Sequence, residues 1–380
     1  MFLERFLSLE TDLLARSVFL FGPRQTGKTT LLRRRYPDAH WFNLLKGDEF
    51  LRLSAEPWRL RQELTYLPPG SIVVVDEIQR LPSLLNEIHH LIEDRDLRFV
   101  LTGSSPVKLR RGGVNLLGGR ARTRYLSPLV FPEFHSWDLN RIAAAGSLPS
   151  IYLSEEPWED LRSYVGTYLQ YEIQAEGLVR GIESFSRFLR VAALGAGQQT
   201  VFEHIASDAQ VPARTIREYY SVLEETLLGR LVQPYQPSPT TSRKAVSRGK
   251  FYFFDVGVVQ ALVGRRDVTP GTGEFGRAVE QYIYTELEAW TQYNRLDTQV
   301  SYWRTTGGQE VDFVVPGRYA IEVKGGGSVG RADLKGLQAL GEDDPQLEPI
   351  LVCCESHPRI VDGINVLPVR DFLARLWKDR

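Results

Sequence analysis

Short β-branched runs alternate with amphipathic stretches through the first third of the chain. Val18–Phe21, His40-Trp-Phe-Asn-Leu-Leu, Ile72–Val75, Arg98-Phe-Val-Leu-Thr and Ala121-Arg-Thr-Arg-Tyr-Leu are strand-length, while Trp58–Leu64 and Leu84–Ile92 carry apolar residues at helical spacing. Runs that offer no polar face must be covered on both sides. The alternation therefore predicts a doubly wound α/β domain on a parallel sheet.

Beyond it the period changes. Ile151–Val179 is rich in Tyr, Leu and Glu and reads as a helical linker. Three amphipathic segments follow, beginning at Phe185, Thr200 and Ala213 and separated by Gly- and Pro-containing turns; in the third, Ile216, Tyr220, Leu223 and Leu227 share one face. These are helix–turn–helix proportions, with a wing expected after them. Further on, Phe275, Val279, Ile283, Leu287 and Trp290 form another helical stripe with Glu280 beside it. Two β-rich runs then flank Pro316-Gly317-Arg318, a hairpin signature. Its register sets Asp312 opposite Glu322, Glu310 opposite Lys324 and Val314 opposite Ala320. Val311, Phe313, Val315, Tyr319, Ile321 and Val323 fill the apolar face, and the first set is expected to form a polar one.

Composition narrows the class. With 380 residues and 43% hydrophobic content the chain needs two or three cores and cannot be disordered. A net charge of −1 excludes a chain that is basic throughout, so contact with nucleic acid must come from local patches. No apolar run approaches the ~18–20 residues that span a bilayer. Glu4, Arg5, Glu10 and Asp12 interrupt the amino-terminal hydrophobics, unlike a secretory signal. The expectation is a soluble, cytoplasmic protein without a membrane partner. Cys353 and Cys354 are adjacent and would point to opposite faces of a strand, which excludes a disulfide framework and argues against cysteine zinc binding.

The chemistry begins after the first strand. Gly22, Pro23, Arg24, Gln25, Thr26, Gly27, Lys28 and Thr29, followed by Thr30 and a helical pattern, form a phosphate loop: backbone N–H groups and a helix amino terminus surround phosphate oxygens. Lys28 would reach the β/γ-phosphates of ATP, and Thr29 would ligate Mg²⁺. The run ending in Asp76-Glu77 supplies acids at a strand's carboxyl end; Asp76 would hold the Mg²⁺ shell and Glu77 would polarise the attacking water. Ser104 is either a polar sensor of the γ-phosphate or a helix cap. Lys108, Arg110, Arg111, Arg120, Arg122 and Arg124 form an acid-free basic patch. Within it Arg120 is either an arginine finger for a neighbouring subunit or part of a solvated face.

These strings in this order resemble the bacterial and archaeal AAA-type ATPases that carry a carboxyl-terminal domain of unknown function. GPRQTGKTTLL, VVVDEIQRLP, FVLTGSS, LLGGRA and YLSPLVFPEF carry the likeness, which continues through RGKFYFFDVGVVQAL, GQEVDFVV and IEVK. The resemblance implies ATP binding and hydrolysis by a ring-forming core and leaves the substrate open. The order Glu280, Asp312, Glu322-Val-Lys324 further resembles the restriction-endonuclease-like superfamily, in which carboxylates collect Mg²⁺ and the lysine positions or activates water. A non-cleaving module with that core is the other reading.

The expected organisation is an AAA-type P-loop ATPase domain over 1–135, a helical linker and winged-helix-like domain over 136–235, and a restriction-endonuclease-like domain over 236–380. The leading functional expectation is an ATP-hydrolysing motor or remodelling protein that forms a homo-oligomer, as a hexameric ring, and works on DNA. Arg214, Thr215 and Arg217 would meet DNA at the amino-terminal end of the third helix, or that helix simply packs. Arg243, Lys244, Arg248 and Lys250 would grip phosphate or decorate a loop, and the Gly325–Arg331 run would be mobile. The alternatives are a nucleotide-controlled switch or scaffold and an ATP-gated Mg²⁺-dependent nuclease.

Overall fold

The structure is a computed structural model and is described for residues 3–107, 109, 117–169, 181–237, 246–326 and 328–379, with the side chains of 167–169 left aside. Lys108, Arg110, Arg111, Arg243 and Lys244 of the two basic runs lie outside the described residues. The chain divides into two compact units: Phe2–Ser127 with Glu225–Leu227, and Pro128–Glu224 with Leu228–Arg380.

The first unit is built on five parallel strands, β1 (Ser17–Phe21), β2 (His40–Asn43), β3 (Ile72–Asp76), β4 (Arg98–Gly103) and β5 (Ala121–Tyr125), in the order β2-β3-β4-β1-β5. Their apolar runs are what this topology requires. Phe19, Phe21, Val73, Val75, Phe99 and Leu101 pack with Leu84, Leu85, Ile88 and Leu91 of the Leu84–Arg95 helix into one core. The α/β class and parallel sheet expected from the pattern are what the chain forms. The carboxyl ends of β1, β3 and β4 deliver the phosphate loop, the Asp76-Glu77 pair and Ser104 to one edge of the sheet.

The second unit has a helical part and a sheet part. Helices Ile182–Leu194, Phe202–Ala209 and Ala213–Glu225 bury Phe185, Phe188, Ile216, Tyr219, Tyr220 and Leu223 together. Strands β6 (Gly229–Val232) and β7 (Lys250–Phe253) pair antiparallel beside them. Leu227 departs from its expected face because the helix stops at Glu225, and the chain turns through a left-handed φ of 62° at Leu227 itself.

The sheet part contains β8 (Ser301–Arg304), β9 (Glu310–Val315), β10 (Tyr319–Lys324), β11 (Glu348–Cys353), β12 (Arg359–Val361) and β13 (Ile364–Pro368), ordered β12-β13-β11-β10-β9-β8. The hairpin register is Ala320 opposite Val314 and Ile321 opposite Phe313, as the alternation required. Phe313 and Tyr319 meet Tyr284 and Trp290 of the Gly273–Tyr293 helix. The opposite face brings Glu310, Asp312, Glu322 and Lys324 to one cleft, but it is polar only at that end. Val314 and Ala320 are buried under Leu337 and Leu340 of the Lys335–Asp343 helix, and only the end of that face, with Asp312 and Glu322, opens into a cleft. Adding a second layer reverses the usual rule for a hairpin with one wet face. The Gly325 end of the glycine run is also packed rather than loose, since a Cβ there would lie 2.3 Å from the Cα of Gly276.

Candidate functional sites: the phosphate loop and an acid–lysine cleft

Two constellations carry chemistry, one in each unit. In the first, Gly22 opens the loop where a Cβ would strike the Leu126 carbonyl oxygen at 2.4 Å, and Gly27 takes a φ of 90° to start the Lys28–Arg35 helix. Lys28 is buried and donates to the carbonyls of Gly22 (2.6 Å) and Pro23 (3.1 Å), so its ammonium lies along the loop. Thr29 Oγ1 donates to Asp76 Oδ2 at 2.9 Å, joining the phosphate loop to the end of β3. Thr102 of β4 hydrogen-bonds the other Asp76 oxygen and accepts from the Glu77 amide at 3.1 Å.

Glu77 holds a left-handed backbone with φ 63°, a conformation that costs a non-glycine residue about 1 kcal/mol or more. Its carboxylate accepts from Gln79 Nε2 at 2.6 Å, and the same amide reaches Ser104 Oγ at 3.3 Å. Gln79 thus ties Glu77 to Ser104, with Gly103 leaving it room, since a Cβ there would lie 2.6 Å from Gln79 Oε1. Sequence reasoning passed over Gln79, which stands two residues beyond the acid pair in a 3₁₀ turn. It also passed over buried Arg5, which donates to the carbonyls of Thr26 and Ser127 and anchors the phosphate loop from the amino-terminal segment. An arginine in a sequence-distant segment gives no local signal of such a role.

The acid-free patch acquires acids from elsewhere in the fold. Arg122 and Arg124 both bind Asp12, which is fully buried, at 2.9 and 2.7–2.8 Å. Arg120 is ion-paired to Glu93, whose carboxyl is held below its usual range chiefly by that hydrogen bond. In the helical part, Arg214 is 92% exposed and pairs with Glu218 at 3.3 Å, while Arg217 pairs with Glu203 at 3.0 Å and lies over Phe202.

The second constellation lines a cleft of about 840 Å³ in the second unit. Four elements meet there: β7 brings Lys250, the Gly273–Tyr293 helix brings Glu280, β9 brings Glu310 and Asp312, and β10 brings Glu322 and Lys324. Lys250 is buried, with Nζ 2.5 Å from Glu310 Oε1, 3.7 Å from Asp312 Oδ1 and 3.9 Å from Glu280 Oε1. Tyr252 donates to Glu280 at 2.5 Å, Arg304 binds Glu310 at 2.6 Å, and Lys324 binds Glu322 at 2.6 Å. The Val323 amide donates to Asp312 Oδ2 at 2.9 Å.

Burial, together with the nearby Asp312 charge, pushes Glu280 up to about 7 and Glu322 up to about 8. Lys250 is raised: burial opposes its charge but is outweighed by Glu280, Asp312 and Glu310. The expected acids therefore share one cleft, but an ammonium stands among them. Among the described residues no three of His, Cys, Asp and Glu are placed to hold a metal ion. The expected Mg²⁺ set of Glu280, Asp312 and Glu322 does not fit a divalent ion in this arrangement.

Three family models match successive parts of the chain. Residues 15–135 match the family model described as an AAA domain, residues 136–269 a domain of unknown function (DUF8612), and residues 275–372 a domain of unknown function (DUF4143). Uncharacterized proteins of Mycobacterium tuberculosis and Mycobacterium bovis are each 27% identical over 323 residues, covering 81% of this chain and 70% of theirs. Among solved structures, a Walker-type ATPase of Pyrococcus abyssi is 14% identical, covering 67% of this chain and 93% of its own, with a TM-score of 0.47. The Aeropyrum pernix ORC1 protein, solved in complex with DNA, is 13% identical over 69% of this chain and 93% of its own, with a TM-score of 0.28. No helix among the described residues is long and apolar enough to cross a membrane. The parallel sheet, the phosphate loop and the AAA match agree on an AAA-type P-loop ATPase domain over residues 15–135.

Proposed function

We propose that the chain hydrolyses ATP at the phosphate loop, with Lys28, Thr29, Asp76 and Glu77 as the working residues. The observation that carries this reading is the 2.9 Å hydrogen bond from Thr29 to Asp76, which brings the two acidic and hydroxyl ligands expected of a nucleotide-bound Mg²⁺ together at the mouth of the loop. Those two side chains would hold the ion, and when bound it would screen the phosphate charge. Lys28 would swing from the loop carbonyls to the β/γ-phosphates. Glu77 would accept the proton of the water that attacks the γ-phosphorus as the bond to the ADP oxygen breaks. Ser104, tied to Glu77 through Gln79, would report the γ-phosphate to that carboxylate.

Phosphate release and nucleotide binding test the reading together. Lys28→Ala should lose tight nucleotide binding, whereas Glu77→Gln should keep binding and turn over at least a hundredfold more slowly. Normal turnover in Glu77→Gln would remove Glu77 from the role. In a ring of such subunits Arg120 would exchange Glu93 for a neighbour's phosphate. Mixing Arg120→Ala with Lys28→Ala subunits should then recover activity, and no recovery would end the shared-site reading.

Work on DNA is the finer proposal, carried by the near-complete exposure of Arg214 at the start of its helix. Its acid partner and that of Arg217 weaken the positive face. A titration against duplex and single-stranded DNA with and without ATP should show binding that Arg214→Ala with Arg217→Ala reduces. Absence of binding would leave a nucleotide-controlled switch. A cleaving restriction-endonuclease-like core finds support in the gathering of Glu280, Asp312, Glu322 and Lys324 around one cleft, and opposition in the lysine that stands among them.

A further inference from the structure

β3 and β4 pair in register as far as Val75 and Leu101. Beyond that point the backbone ladder between them gives way to a side chain. The Asp76 carbonyl accepts from the Leu44 amide on the β2 side, at 3.1 Å, so by the alternation of backbone groups along a strand the next amide, that of Glu77, points towards β4. It finds the hydroxyl of Thr102 there, at 3.1 Å, in place of a carbonyl. The same hydroxyl gives its own proton to Asp76 Oδ1.

Thr102 is fully buried, as are Val100 and Leu101 before it, so water has no part in satisfying its hydroxyl. A valine would have the same shape. What the hydroxyl adds is one donor and one acceptor, and both go to the acid pair. For Asp76 the effect is to fix the plane of the carboxylate: Oδ1 is held by Thr102 while Oδ2 is turned to Thr29. For Glu77 the effect is to fix the peptide plane from which its left-handed turn, φ 63°, begins. β4 therefore holds Glu77 at both ends, at the amide through Thr102 and at the carboxylate through Ser104 and Gln79. In the sequence Thr102 reads only as a β-branched strand former.

We propose that Thr102 is a positioning residue for ATP hydrolysis, whose single hydroxyl sets the Asp76 carboxylate and the Glu77 backbone in one fixed relation to each other. This rests on the reading of the phosphate loop given above. Thr102 is closed to solvent and acts through these two residues, not on the nucleotide. Asp76 is the residue expected beside Mg²⁺ and Glu77 the one expected beside the attacking water, so the hydroxyl joins the two halves of the site. Without it the Glu77 amide and Asp76 Oδ1 each lose a buried partner, and the two acids are free to turn independently.

Thr102→Val, which keeps the shape, and Thr102→Ser, which keeps the hydroxyl, test this in the full chain. Two readouts are needed: phosphate release, and ATP binding by calorimetry across a Mg²⁺ series. Thr102→Val should lower kcat roughly tenfold or more. It should also raise the Mg²⁺ concentration at which ATP binding is half-enhanced by roughly fivefold, with Mg²⁺-free ATP affinity unchanged within about twofold. Thr102→Ser should bring both readouts back to within about threefold of the parent. A folded Thr102→Val chain with the parent's kcat and Mg²⁺ dependence overturns the proposal, and so does a Thr102→Ser chain no better than Thr102→Val. If Thr102→Val shows no thermal transition, Thr102→Ala replaces it; loss of folding in both makes the hydroxyl structural and also overturns the proposal. Failure of the earlier reading shows in the parent itself. A parent that binds ATP without releasing phosphate ends the hydrolysis reading, yet the Mg²⁺ dependence of binding still judges Thr102, and a parent that binds no ATP ends both.

Discussion

Glu286 provides a quantitative test of how the second unit is built. Its side chain is buried on the Gly273–Tyr293 helix and accepts from Trp377 Nε1 at 2.7 Å, tying that helix to the carboxyl-terminal segment. Burial pushes its carboxyl up to about 7, against the partial relief given by hydrogen bonds from Tyr282 and Trp377. Below the unfolded value near 4.5 both states hold the proton, and this group sets no slope. As pH rises toward 7 the unfolded chain releases its proton while the folded chain keeps it, so stability falls across that window and levels off above it. At ~1.4 kcal/mol per pH unit the loss amounts to about 3 kcal/mol.

Glu286→Gln preserves an acceptor for Trp377 and never ionises. Denaturant unfolding followed by tryptophan fluorescence, in which Trp290, Trp303 and Trp377 report on this unit, should be run from pH 4.5 to 8 on both proteins. The stability of the variant relative to the parent should rise by about 3 kcal/mol between those limits. Other buried acids contribute equally to both curves and cancel in the difference. Parallel curves would show that Glu286 is ionised in the fold and would refute the argument from burial.

Gln79→Ala should slow ATP turnover roughly tenfold with little change in nucleotide affinity, because it frees the Glu77 carboxylate from its 2.6 Å partner; faster turnover would show instead that Gln79 restrains Glu77. Gly146→Ala should destabilise the second unit by roughly 2–3 kcal/mol, combining a left-handed residue with displacement of a helix cap. Gly146 has φ 75°, and a Cβ there would lie 2.1 Å from Oδ1 of Asp255, the cap of the Val256–Val263 helix; an unchanged unfolding midpoint would contradict this. Arg5→Ala should raise the KM for ATP more than it lowers kcat, since Arg5 braces the backbone of the phosphate loop rather than any reacting atom. Equal loss in kcat with unchanged KM would give Arg5 a different role.

What could be read from the chain divides along physical lines. The parallel sheet was legible because β1, β3 and β4 are apolar on both faces, and the phosphate loop because its glycines and Lys28-Thr29 are contiguous. The hairpin register was legible because a period of two admits only one pairing that keeps Phe313 and Ile321 inside. What covers the other face was not, since the Lys335–Asp343 helix that buries Val314 and Ala320 comes from another part of the chain and leaves no mark on the hairpin's own alternation. The partners of Arg120, Arg122 and Arg124 escaped notice for the same reason: Glu93 and Asp12 are remote in sequence, so three arginines with no acid beside them along the chain meet two carboxylates in space.

Lys250 shows where a local signal existed and was outweighed. Its neighbours in sequence, Arg243, Lys244 and Arg248, make it look like the last member of a basic loop. Yet Lys250-Phe-Tyr-Phe is also a strand of alternating character, and the alternation separates the two phenylalanines from the lysine and the tyrosine. If the Phe251 and Phe253 face packs in a core, Lys250 and Tyr252 must face something able to accept an ammonium and a hydroxyl inside the protein. Burying a lysine without a carboxylate costs several kcal/mol, so the strand assignment alone demands acids on the other side. Glu280, Glu310 and Asp312 answer that demand. The same step of reasoning that places the lysine also sets it among the acids, so that Glu280, Glu310 and Asp312 share one cation supplied by the chain itself.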